Sequence, residues 1–91
     1  MMTAPDPWDD FARELGLALL RARGEKRLSQ EQVAHDAGIS TFTYRKLEKG
    51  ESNPGTPANP RLRTLVALSG VLGVPLTELI PEPPSGVTAG R

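Results

Sequence analysis

The chain has 91 residues, and eleven Lys and Arg balance eleven Asp and Glu, so its formal net charge is zero. This length fits one small domain, and the charge balance argues against a protein that coats nucleic acid regardless of sequence. The absence of cysteine excludes disulfides and thiolate metal sites, and the single histidine, His35, argues against a His-based metal site or catalytic pair.

The first predicted helix begins at Asp6-Pro7. Asp is a favoured N-cap, Pro fits the first helical position, and the acidic residues that follow suit the positive end of the helix dipole. A stripe of apolar side chains with helical spacing marks its buried face: Trp8, Phe11, Leu15, Ala18, Leu19 and Ala22. Gly24 is predicted to end this helix. The two aromatic residues are interpreted as core rather than as part of a cofactor site.

Two short helices separated by a tight corner are predicted between Ser29 and Gly50. Ser29 and Gln32 form a capping-box pattern at the start of the first, which runs to about residue 37. Gly38 provides the left-handed residue on which a helix stops abruptly, and Ser40 caps the next helix. The apolar residues predicted to form their shared core are Leu28, Val33, Ala34, Ala37, Ile39, Tyr44 and Leu47.

The segment GESNPGTPANP, residues 50–60, is predicted to be a shaped loop, neither helix nor strand, because Pro and Gly punctuate it. Asn59-Pro60 is expected to cap a fourth helix that ends at Gly73. Its predicted buried stripe is Leu62, Leu65, Val66, Ser69 and Leu72. VPLTELI, residues 74–80, gives a fifth short helix. With no strand-period segment, the predicted fold class is all-α, a compact arrangement of five helices.

Three parts of the chain are distinguished on this basis. Residues 1–7 are an N-terminal extension, residues 8–80 the folded domain, and residues 81–91 a Pro/Gly-rich tail with no core to join. The domain carries its charge unevenly. Residues 1–20 have a net charge of −3, whereas residues 21–49 hold seven cations and four anions, a net charge of +3. Charge alone does not distinguish a binding face from an ordinary solvated surface.

A helix, a tight turn and a second helix can place the second helix in the major groove of DNA. The stretches LSQEQVAHDAGIS, YRKLEKG and LRTLVALSGVLGVPLTEL resemble the phage Cro/repressor (Xre-type) helix-turn-helix family, over roughly residues 11–80. The resemblance implies a compact five-helix DNA-binding domain. Such domains are usual in transcriptional repressors that bind pseudo-palindromic operators in double-stranded DNA as dimers.

The resemblance also assigns roles to individual residues. Base readout falls on one face of the helix over residues 40–49: Thr41, Phe42, Arg45 and Lys46. The resemblance assigns a phosphate contact to Gln30, and Ser29 and Lys49 are predicted to contact phosphates beside it. Arg61 and Arg63 begin the fourth helix, whose free N–H groups suit an anion, so they are candidate phosphate contacts or, equally, solvated cations. Arg23 and Glu48 match a family ion pair that ties the first helix to the end of the reading helix. The alternative is an ordinary surface pair.

Three features depart from the family pattern. Tyr44 replaces an aliphatic residue and is interpreted as core, with its hydroxyl at the edge. Phe42 stands where a polar reader is common. It could contact a thymine methyl group, belong to the core, or contact a protein partner. The loop over residues 50–60 is longer than usual, so its phosphate contacts cannot be mapped.

Two function classes follow. The first is a sequence-specific DNA-binding regulator, a repressor by expectation, acting as a homodimer with apolar residues near Leu76, Leu79 and Ile80 as candidate contacts. The alternative is a protein-interaction module of the same fold, such as an antitoxin or partner-docking subunit. No nucleophile, base and orienting group come together, so an enzyme is not expected, and neither is a cofactor or a metal. An acidic N-terminus without an apolar signal core, and no membrane-length apolar run, predict a cytoplasmic protein.

Overall fold

The computed structural model describes residues 6–89, which form five helices and one small hairpin. In chain order the elements are α1 (Pro7–Lys26), α2 (Gln30–Ala37), α3 (Thr41–Glu48), β1 (Glu51–Asn53), β2 (Thr56–Pro57), α4 (Leu62–Leu72) and α5 (Leu76–Leu79). The predicted five-helix fold is confirmed. Most of the predicted extension over residues 1–7 and the last two residues of the tail lie outside the described residues.

The prediction that residues 50–60 contain no strand was wrong. β1 and β2 pair antiparallel with an irregular register, and Gly55 takes a φ of +79° in the turn between them. Ala58, which follows β2, is 2% exposed, and its N–H donates to the Gly50 carbonyl at 2.8 Å. Its carbonyl accepts from the Trp8 indole at 2.8 Å. These two hydrogen bonds hold the hairpin, and no alternation of apolar residues in the sequence indicates them.

Five helix boundaries follow the capping residues that the sequence predicted, and one of these is Gly73, which ends α4. The Asp6 carboxylate accepts from the Trp8 N–H, and Ser29 makes a complete capping box. Gly38 ends α2 at a φ of +77°, and the Ser40 hydroxyl accepts from an N–H in the first turn of α3. These contacts are local in sequence, so they could be predicted without knowledge of the tertiary fold.

Two other boundaries were predicted wrongly. α1 continues past Gly24 to Lys26 and ends on Arg27, whose φ of 57° is left-handed although it is not glycine. α4 begins at Leu62 rather than at Asn59-Pro60, and its N-cap, Arg61, provides no side-chain hydrogen bond. The first N–H groups of α4 therefore have no side-chain cap.

One hydrophobic core is shared by the five helices and the end of the hairpin. Its buried members are Ala12, Leu15, Leu19, Ala22, Val33, Ala34, Tyr44, Leu47, Ala58, Leu68, Leu72 and Leu79. The predicted stripe of α4 was partly wrong, because Leu62 is 68% and Val66 54% exposed, whereas Leu68 is fully buried. Helical spacing fits either face of this apolar helix. Packing of α4 on α2, α1 and α5 selects the face with Leu68 and Leu72.

Two glycines allow the backbone of α1 to lie directly against the end of α3. A Cβ on Gly16 would lie 2.5 Å from the Glu48 carbonyl oxygen. Gly50 takes a φ of +76°, and a Cβ there would lie 2.8 Å from the Arg13 Cα. A side chain at either position would push the two segments apart, so these glycines set the distance between α1 and α3.

A buried ion pair ties the same two helices together. The Arg23 Nε donates to Glu48 Oε2 at 2.6 Å, and its Nη2 donates to Oε1 at 3.1 Å. The Glu48 side chain is 6% and the Arg23 side chain 19% exposed. Gln30 of α2 donates its Nε2 to the same carboxylate at 2.8 Å. One carboxylate therefore joins α1, α2 and α3.

The surroundings of this pair shift three pKa values. Burial opposes ionisation of Glu48, but the hydrogen bonds from Arg23 and Gln30 outweigh it and hold the pKa of Glu48 below its usual value. The bond to Glu48 raises the pKa of Arg23. Burial, followed by the neighbouring Glu48, raises the pKa of Tyr44 far above its usual range. The Tyr44 hydroxyl is buried without a hydrogen-bond partner among residues 6–89, and not at the core edge as predicted.

We expect Glu48→Leu alone to lower the free energy of unfolding by about 3–5 kcal/mol, because it leaves the Arg23 guanidinium without its partner. Arg23→Met combined with Glu48→Leu should recover much of this loss, since two apolar side chains replace two charges. Denaturant unfolding of both single variants, the double variant and the wild type gives the coupling energy.

The Asp10–Arg13 pair on α1 is the matched control, because its side chains are 66% and 64% exposed. Its own double-mutant cycle to alanine should give less than about 1 kcal/mol. A coupling between Arg23 and Glu48 below about 0.5 kcal/mol would make it an ordinary surface pair and contradict its role in joining the helices.

Candidate nucleic-acid interface

The corner between α2 and α3 is built from backbone hydrogen bonds and one small residue. Gly38 donates to the His35 carbonyl, and the Ile39 N–H donates to the Ala34 carbonyl at 3.0 Å. Ala34 is fully buried where the two helices pack. The buried side of α3 is formed by Tyr44 and Leu47, so its opposite side is free to face a ligand.

The side chains predicted to read bases lie on this outer side of α3. Phe42 and Arg45 are exposed, and Thr41 and Lys46 are half-buried. The Phe42 side chain is not part of the core, since the residue is 69% exposed. The Lys46 ammonium lies 4.3 Å from the centre of the Phe42 ring, a cation–π contact between successive turns.

Arg45 is already engaged by α2. Its Nε donates to Gln30 Oε1 at 3.2 Å, and its Nη2 donates to Glu31 Oε2 at 3.1 Å. Because the Gln30 amide donates to Glu48 with its nitrogen and accepts from Arg45 with its oxygen, both ends of the amide are oriented. The contact between Arg45 and Glu31 is exposed to solvent, with 54% and 62% of the side chains accessible. Glu31 was not predicted to belong to the site, because no spacing rule links it to Arg45.

The residues predicted to contact phosphates are distributed over three elements. The Ser29 hydroxyl accepts from the Gln32 N–H at 3.0 Å as part of the α2 cap. Lys49 is exposed at the end of α3, and Arg61 and Arg63 are exposed at the start of α4. The end of α3 and the start of α4 therefore both present exposed cations.

An open cleft of about 430 Å³ separates α3 from the start of α4. Lys46 and Arg61 line it from opposite sides, and Glu51 of the hairpin also contributes to its wall. Arg63 is not among its lining residues. Lys46 and Arg61, which are separate in sequence, therefore face one space beside the outer side of α3. The hairpin, which was predicted to be a loop without strands, forms part of this wall.

His35 and Asp36 form a solvent-facing pair, with 90% and 58% of their side chains exposed. Among residues 6–89, no three His, Cys, Asp or Glu side chains gather in a way that could hold a metal ion. Within the same residues, no helix is both long and apolar enough to cross a membrane.

Comparison with known proteins bears on this arrangement. A family model described as helix-turn-helix matches residues 19–79. The cryptic phage CTXphi transcriptional repressor RstR of Vibrio cholerae is 37% identical over 60 residues, covering 66% of this chain and 49% of RstR. The chain thus spans about half the length of that relative.

Two solved structures share the fold. The restriction-modification controller protein C.AhdI from Aeromonas hydrophila gives a TM-score of 0.66 at 27% identity, over 78% of this chain and 97% of C.AhdI. The hypothetical transcription factor NHTF from Neisseria gives 0.67 at 23% identity, over 91% of this chain and 87% of that one, and this likeness concerns the fold alone. Because the family match takes in well over half of the chain, the protein belongs to the phage Cro/repressor (Xre-type) helix-turn-helix family of DNA-binding domains.

Proposed function

We propose that the protein is a sequence-specific transcriptional regulator that inserts α3 into the major groove of double-stranded DNA. The observation that carries the proposal is the outer side of α3, where Thr41, Phe42 and Lys46 are presented together. The N-terminal residues of a recognition helix are the ones that contact base edges, and two of these three lie in its first turn. The similarity to RstR, a transcriptional repressor, favours repression as its action.

The remaining cations fit a backbone-binding role around this helix. Lys49 follows α3, whereas Arg61 and Arg63 lie beside the uncapped start of α4, whose free N–H groups attract anions. Ser29 and Gln30 stand at the start of α2, the helix that crosses the DNA backbone in this docking geometry. Phosphate contacts of this kind set the position of the reading helix, and the base contacts set its specificity.

We further propose a homodimer that binds a pseudo-palindromic operator, in the cytoplasm, where such operators lie. Leu79 is 1% exposed and so is unsuited to the subunit contact for which the sequence suggested it. Leu76 and Ile80 are half-buried and stay candidates. The exposed Leu62 and Val66 on α4 are better apolar candidates than Leu79.

A second candidate function is a protein-docking module, which the exposed Phe42, Leu62 and Val66 favour. Both candidates are binding functions, and we propose that the chain is not an enzyme. A pull-down from an extract of the protein's own host, compared with DNA-binding measurements, distinguishes the DNA-binding regulator from the docking module. Retention of one partner protein together with no DNA preference would support docking.

Selection of bound DNA from a random pool tests the proposed function directly. We expect one enriched motif with two inverted half-sites whose centres lie about 10 base pairs apart, or a multiple of that, because paired recognition helices meet successive major grooves. Sequencing of the enriched pool and footprinting give the motif and its spacing. An unenriched pool would contradict DNA recognition, and a motif with a single unpaired half-site would contradict the dimer.

Base reading and phosphate contact should separate on mutation. Thr41→Ala and Lys46→Ala should each lose about 1–3 kcal/mol of preference at particular base pairs. Lys49→Ala should weaken binding to every sequence alike, because Lys49 is an exposed phosphate candidate outside the network of Gln30, Glu48 and Arg45, and a phosphate contact carries no direct sequence information. Titration of each variant against the selected operator and its single-base variants measures both effects. A uniform loss in all three variants would show that the readers are assigned wrongly.

Glu31 should act against DNA binding. Its carboxylate holds Arg45 in the free protein and would lie near DNA phosphates when α2 crosses the backbone. Glu31→Gln should therefore tighten binding and make the slope of log affinity against log salt steeper, because one more cation is free to displace a counterion. Binding titrations over a range of salt concentrations measure the slope.

Asp36→Asn is the matched control for Glu31→Gln. It removes one negative charge from the same helix, and its carboxylate contacts His35 instead of a candidate reader. The control should change the affinity less than Glu31→Gln does. Equal gains from both substitutions would mean that only net charge matters, and that the contact with Arg45 has no separate effect.

A further inference from the structure

Phe42 is a large apolar side chain placed where the fold does not need it. It is 69% exposed on the outer side of α3, apart from the core that Tyr44 and Leu47 join on the opposite side. A phenyl ring has no hydrogen-bonding group, so it cannot read the donors and acceptors of base edges. The apolar mark that a base pair presents in the major groove is the C5-methyl group of thymine, which 5-methylcytosine also carries.

The Phe42 ring is in contact with Lys46, which lies one turn further along α3 with its ammonium 4.3 Å from the ring centre. The contact restricts both side chains and leaves the ammonium with donors to spare. Lysine donates to the O6 and N7 acceptors of guanine. Because successive base pairs are about 3.4 Å apart, two side-chain ends separated by 4.3 Å are near enough to contact neighbouring base pairs.

We propose that Phe42 and Lys46 act as one unit that reads a 5-methylpyrimidine next to a guanine. Phe42 covers the methyl group, and Lys46 donates to the guanine. Either thymine or 5-methylcytosine satisfies such a reader, whereas uracil and unmodified cytosine do not. The DNA recognised therefore contains this step in each half-site, and its cytosine-containing variants are bound in a methylation-dependent way. The inference rests on the proposed DNA-binding function.

The experiment uses the full chain and the operator selected from random DNA. Each thymine is replaced in turn by deoxyuridine, which removes only the methyl group. We expect one thymine per half-site at which affinity falls about fourfold, the loss for one buried methyl group. At that position a cytosine–guanine pair should bind as weakly as the uracil pair, and a 5-methylcytosine–guanine pair should restore binding.

The variants assign the effect to the two side chains. Phe42→Ala should make the protein indifferent to uracil at that position. Replacing the neighbouring guanine by 7-deazaguanine, which lacks N7, should weaken binding of the wild type. The same replacement should not weaken binding of Lys46→Ala. Leu17→Ala is the matched control, because Leu17 is an exposed apolar residue on α1, and it should keep both sensitivities. Circular dichroism should be unchanged in all three, since none of these residues belongs to the buried core.

The outcomes separate the inference from the proposed function. An operator that tolerates uracil at every thymine, or a Phe42→Ala protein that keeps the wild-type sensitivity, would overturn the inference and leave DNA binding intact. A pool in which no sequence is enriched would overturn both. Sensitivity to uracil at a position not next to guanine would overturn the paired reader.

Discussion

The position of α3 depends on one group, the carboxylate of Glu48. It sits at the end of α3 with 6% of its side chain exposed and accepts from Arg23 of α1 and Gln30 of α2. A buried carboxylate without such partners would be costly, so moving α3 away from α1 and α2 would leave a buried charge uncompensated. The lowered pKa of Glu48 records the same constraint, because the partners outweigh the effect of burial. This polar junction ties the end of α3 to both α1 and α2.

Backbone contact sets the distance between α1 and α3, which long side chains in an ion pair would leave adjustable. Gly16 lets the end of α3 rest on α1, and the left-handed Gly50 turns the chain away immediately afterwards. The hairpin that follows is held to α1 through the carbonyl of Ala58 and the Trp8 indole. As a result, the distance of α3 from α1 and the position of the hairpin that lines the cleft both follow from contacts on the buried side of α3.

The parts of the fold that could be predicted from sequence are those decided within a few residues. Ser29, Gly38 and Ser40 each act on the N–H or carbonyl groups of their own turn, so the helix-turn-helix could be predicted from the sequence. The inward face of α4 could not be predicted, because its apolar residues fit more than one stripe. Packing on α2, α1 and α5 buries Leu68 and leaves Leu62 exposed. The hairpin and the contact between Glu31 and Arg45 were missed for a related reason. Both depend on groups that tertiary structure brings together, without a periodic signal.

A protein with no net charge can still present a binding face, provided that its charges are separated and some are already paired. Glu48 and Arg23 neutralise each other inside the domain, and Arg45 is held by Glu31 at the surface. Acidic side chains elsewhere on the domain balance the cations that remain at the surface, which limits attraction to any sequence. Discrimination must then come from contacts with base edges, including apolar ones. The exposed Phe42 suits this requirement, because its ring carries no charge and the contact that we propose for it is with a base-specific methyl group.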